Sequence, residues 1–226
     1  MAAADIERTL QACESALAAP GKVDLKALGF WRAVTAAKKD PRLVDRYGAR
    51  IARIDRDAFV RGAPIVLPAS IGVGLEAIWT AVGVAILAVA PGLLSPWLEL
   101  AYLVGAGVLI GATHALTHYV VGGLMGIRFT HFYSLPPLKP QPGFKTDYAT
   151  YLAAPARSRA WMHASGAIVS KLIPFVVAAV AIANSAQAWA VGALLAIGVL
   201  QLITDITLST RASDWKKFRR EMRFAG

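Results

Sequence analysis

The chain has 226 residues, of which 56% are hydrophobic and 17% charged, and a formal net charge of +10. Its mean hydropathy is +0.51. Soluble domains carry about a quarter charged residues, so this composition excludes an ordinary soluble basic protein and a nucleic-acid binder. The charges are segregated: twelve of the 24 Lys and Arg lie in 1–62, five in 126–160 and six in 211–226, leaving only Lys171. Such clustering between apolar stretches has a topological meaning. A single cysteine, Cys13, rules out an internal disulfide and a Cys-rich metal centre.

In chain order, 1–62 reads as a cytosolic region of short amphipathic helices. Asp24 is placed to cap a helix through LKALGFWRAVTAAKK, and Asp40-Pro41 to start the next. Trp31, Arg32, Arg46, Arg50 and Arg53 suit either anionic lipid headgroups or a solvated face. The N-terminus lacks a basic stretch followed by an apolar core, so the first apolar span is expected to serve as the insertion signal.

A membrane domain is expected over 63–210. Four stretches, about 64–90, 97–123, 161–183 and 186–209, approach the ~20 residues that cross a bilayer. The segment 126–160 holds five prolines and alternating aromatics, suiting a β-hairpin-like loop better than helix. A basic tail, 211–226, closes the chain. The expected fold is therefore an all-α polytopic membrane protein with four transmembrane helices. The two connections near 91–96 and 184–187 lack Lys and Arg. Positive residues favour the cytoplasmic side, which places both termini and 126–160 in the cytoplasm. The expected location is a bacterial or archaeal cell membrane.

His114 and His118 stand four residues apart in the second span, on one helix face. Polar side chains at membrane depth face a partner or a cavity. With this topology His118 and His114, His163 at the start of the third span and Asp205 near the end of the fourth all fall in the cytoplasmic half. Imidazoles plus a carboxylate form a usual Zn²⁺ ligand set, and three ligands leave a fourth position for water. The bland reading is a histidine bonded to a carbonyl. Glu76 and Lys171 are candidates to pair with each other, and His131 reads as a surface residue of the loop.

The run HALTHYVVGGLMGIRFTHFY resembles the HExxH helix and following strand of the site-2-protease-like membrane zinc metallopeptidases. WMHASGAIVSKL resembles that family's next span, and ITDITLSTRASDWKKFRRE its last core helix. The resemblance covers about 100–221. It implies His114 and His118 as the first two zinc ligands, Asp205 as the third and a membrane-spanning protein segment as substrate. The general-base glutamate of HExxH is replaced by Ala115, and Ile206 follows Asp205 where the family commonly has Gly. His163 is then the candidate substitute base or fourth ligand, with Glu76 eligible if the first span packs beside the second. The chain is accordingly a silent relative, an enzyme with a relocated base, or one whose glutamate has been replaced. Two other functions fit the residues. One is a non-catalytic membrane scaffold binding anionic lipid or a partner through its basic ends. The other is a haem protein using His114 or His118 with His163 as axial ligands.

Overall fold

The structure is a computed structural model that describes residues 1–135, 139–207 and 213–225. Helices α1 (Ala3–Ala18), α2 (Phe30–Ala37) and α3 (Pro41–Gly62) form the N-terminal unit. On α1, Ile6, Leu10, Cys13 and Leu17 are all buried, a stripe of helical period that packs with Phe30, Val34, Tyr47, Ile51 and Ile54. Each such side chain contributes roughly 1.5–3 kcal/mol. Asp40 accepts from the Arg42 N–H at 2.9 Å and Pro41 occupies the first turn of α3, as the sequence predicts. Asp24 caps only a turn, accepting from the N–H groups of Lys26 and Ala27. Gly29, at φ +77°, then resets the chain before α2. Arg50 and Arg53 bind Glu14 of α1 at 2.6 Å, and Arg50 also binds Glu7.

Among the described residues four helices are long and apolar enough to cross a membrane: α4 (Ala69–Val89), α5 (Trp97–Leu124), α7 (Ala156–Ala183) and α8 (Ala188–Thr207). They leave large apolar side chains exposed, such as Ile78, Val84, Val104, Val176 and Leu200. The expected boundaries need correction at two starts. Residues Ile65–Pro68 form strand β1 rather than the head of the first span; three β-prone residues precede a proline that withholds an N–H. α7 begins five residues earlier than expected, directly after Pro155, which stands at its N-cap with extended backbone. Positions 208–209, expected to end the fourth span, and 211–212 of the expected tail lie outside the described residues.

The segment 126–160 is richer than a hairpin. Strands β2 (Phe129–Leu135) and β3 (Lys139–Thr146) pair antiparallel, and β1 adds to β2, giving the order β1-β2-β3. A short helix, α6 (Tyr148–Ala153), follows, capped by Asp147. Helix α9 (Asp214–Met222) starts at a Ser213 cap.

These extra-bundle elements gather at one end of the four apolar helices. Ile127, Tyr151, Leu152 and Met162 join the core of α1–α3, and Lys145 of β3 pairs with buried Asp55 of α3 at 2.5 Å. At the opposite end Gln187 ties the two basic-free connections together, bonding Ser95 Oγ at 2.9 Å and Glu99 Oε1 at 3.2 Å.

Helix α9 is locked down by Glu221, fully buried between Lys38 at 2.5 Å and Arg159 at 2.8 Å. Burial alone would raise this carboxyl, but Lys38 and Arg159 hold it below the ordinary range. A carboxyl with a depressed folded pKa stabilises the fold above its unfolded pKa and loses that contribution as pH falls. Glu221→Gln leaves two buried cations without a counter-charge and should cost about 3–5 kcal/mol. Thermal unfolding in detergent checks this. The wild-type advantage should be full near neutrality and shrink as pH drops below the ordinary glutamate value of 4.5.

Candidate metal centre

The helical spacing of His114 and His118 puts both rings on one face of α5, 4.8 Å apart and nearly perpendicular. That face meets α7 at Gly166, where the two helices come close. A Cβ at Gly166 would stand 2.6 Å from the His114 carbonyl oxygen and 2.5 Å from His118 Nε2. Only glycine therefore admits the imidazole here.

Each imidazole is anchored through Nδ1. His118 Nδ1 lies 2.6 Å from the Met162 carbonyl oxygen. A carbonyl only accepts, so Nδ1 carries the proton. His114 Nδ1 lies 3.3 Å from Ser170 Oγ, whose own hydroxyl is directed to the Ala167 carbonyl. That leaves the serine oxygen to accept from His114. Both Nε2 atoms then face the same oxygen of Asp214, Oδ2, at 3.2 Å from His114 and 3.3 Å from His118.

Among the described residues this His114–His118–Asp214 group is the one cluster whose ligand atoms lie within 4.8 Å of one another. With Nδ1 donating, an imidazole can turn its Nε2 lone pair toward the Asp214 oxygen, where a cation placed between would join all three groups. Ligands about 2.0–2.1 Å from a tetrahedral Zn²⁺ sit about 3.3 Å apart, so the donor set fits a divalent ion. The Nδ1 partners are the outer-shell contacts that orient metal-bound histidines.

Asp214 opens α9, and its Oδ1 binds Lys217 at 3.0 Å. Burial works to raise its pKa, and the charge of Lys217 beside Oδ1 opposes that rise.

The other expected ligands lie elsewhere. Asp205 is not in the cluster; its carboxylate binds Lys171 Nζ at 2.5 Å, because a charge inside an apolar helix needs an opposite one. This also gives Lys171 a partner other than Glu76. Glu76 lies outside the metal cavity although α4 does pack beside α5. His163 Nε2 is 2.9 Å from the Tyr151 hydroxyl. That contact engages Nε2 of His163, and the ring is not among the grouped ligand atoms. His131 sits in β2, opposite Pro68 and Lys145. Sequence reasoning passed over Asp214, although the Ser213-Asp214 helix start just after the last span was a readable signal.

The cluster opens onto a cavity of about 410 Å³. Ala115, Phe144 of β3 and the Lys171–Asp205 pair share its wall with His163 and Arg220. Comparison of the chain with family models, curated proteins and solved structures returns no match.

Enlarging Gly166 tests the site's geometry. Gly166→Val should displace His118 and reduce affinity for added Zn²⁺ by about 10–100-fold, as loss of outer-shell support does. A competitive chelator titration reads it. Unchanged affinity would mean that His118 does not hold the ion.

Proposed function

We propose that the chain is a membrane-embedded zinc protein of the site-2-protease type that binds metal and substrate but is silent in hydrolysis. The observation that carries this reading is the pair of imidazoles, anchored through Nδ1, aiming both Nε2 atoms at one Asp214 oxygen. Asp214 takes the third-ligand role that the resemblance gave to Asp205. Membrane crossing is supported by the four apolar helices and their exposed apolar side chains. The basic segments that gather at the metal end support a cytoplasmic position for it.

A bound divalent ion would polarise a carbonyl and acidify a water. Hydrolysis also needs a base, and Ala115 offers none. The two carboxylates that line the cavity among the described residues are both engaged, Asp205 by Lys171 and Asp214 by the histidines and Lys217. Strand β3 is an edge strand whose Gly143–Lys145 stretch borders the cavity. An extended juxtamembrane segment can add to that edge and lie across the ion.

Elemental analysis of protein purified without chelators should find zinc, and His118→Ala or Asp214→Ala should remove it. Metal-free wild-type protein would overturn the reading. Ala115→Glu should then raise cleavage of a membrane-spanning reporter by about 10²–10⁴-fold, the usual contribution of a general base. A zinc-loaded Ala115→Glu protein that still cleaves nothing would remove the peptidase kinship and leave only the metal.

A further inference from the structure

A second recess lies between α4 and α5, apart from the metal cavity. It measures about 450 Å³, with Glu76 and Trp79 on one side, Gly107 and Gly111 on the other, and Phe132 and Ser134 of the sheet closing one end. Glu76 is 4% exposed. Its carboxyl has no hydrogen-bond or ion-pair partner among the described residues; only its main-chain carbonyl is engaged, accepting from Thr80 Oγ1 at 2.7 Å. A lone carboxyl in an apolar span is costly.

The glycines sharpen the point. Gly83 and Gly105 let α4 and α5 approach, since a Cβ on either would strike Leu109 or Leu87. Gly107 and Gly111, one turn apart, have nothing within 4 Å of where a Cβ would stand. Glycine inside a helix costs about 1 kcal/mol against alanine, and at these two positions a side chain would meet open space. Small residues at this spacing let a second helix come close.

We infer that the α4–α5 groove docks a transmembrane helix of another protein, one that carries a lysine or arginine at the depth of Glu76. A lipid chain would fill the groove but leave the carboxyl unpaired. A second copy of this chain offers only Lys171 inside its apolar stretches, and Asp205 already holds that side chain. The inference rests on the membrane-spanning reading and not on the metal.

The test uses the full chain, dye-labelled, in phosphatidylcholine vesicles. Energy transfer reports binding of labelled Leu/Ala helices of about 20 residues with either lysine or leucine at the centre. The lysine peptide should bind about tenfold more tightly. Glu76→Gln should abolish that preference, and Gly111→Leu, which leaves the carboxyl in place, should weaken binding of both peptides. Equal binding of the two peptides, or a preference that survives Glu76→Gln, overturns the inference. So does binding of dodecylamine that needs Glu76 while the lysine peptide is ignored, which would assign the groove to a small amine. Zinc content and resistance to alkaline extraction, measured on the same samples, show separately whether the metal and membrane readings hold.

Discussion

Two imidazole nitrogens and one carboxylate oxygen converge here with their protons already committed elsewhere. His118 gives its Nδ1 proton to a main-chain carbonyl and His114 to a serine hydroxyl. Among the described residues Lys217 meets Asp214 on Oδ1, and the Oδ2 side that faces the two Nε2 atoms is the place where a metal ion would sit. The remaining architecture can be understood as a means of holding these three groups together at the end of an apolar bundle.

That holding is done by a close approach and by buried charge. The missing side chain at Gly166 brings α7 against the histidine face of α5. Glu221 fastens α9 to Arg159 and Lys38, two turns beyond Asp214. The N-terminal unit thereby takes part in positioning Asp214 of the candidate metal site, although it lies far from that site in sequence. The ion pair between Lys171 and Asp205 uses the same chemistry for a different end, settling two charges within the apolar helices.

The coarse fold was legible because helices long and apolar enough to cross a bilayer write themselves in long apolar runs. So was the face shared by His114 and His118, which follows from helical period alone. Two kinds of feature were not legible. Strand β1 was hidden because Ile65–Pro68 is as apolar as the helix it precedes, and hydropathy does not separate a short apolar strand from a span. Asp205 stands outside the His114–His118–Asp214 group because depth along a span does not decide proximity. Asp205 has the right depth, but its nearest opposite charge is Lys171. Asp214 reaches the histidines because α9 packs back on α7, with Phe218 against Trp161 at 5.3 Å, and a tertiary contact of that kind leaves no periodic trace.

X-ray absorption at the zinc edge, on protein purified in detergent without chelators, tests the central claim most directly. The account predicts two imidazole nitrogens and a carboxylate oxygen at about 2.0–2.1 Å, with one further light atom, and loss of the oxygen contribution in Asp214→Ala. A spectrum of solvated zinc, or one unchanged by that substitution, would contradict it.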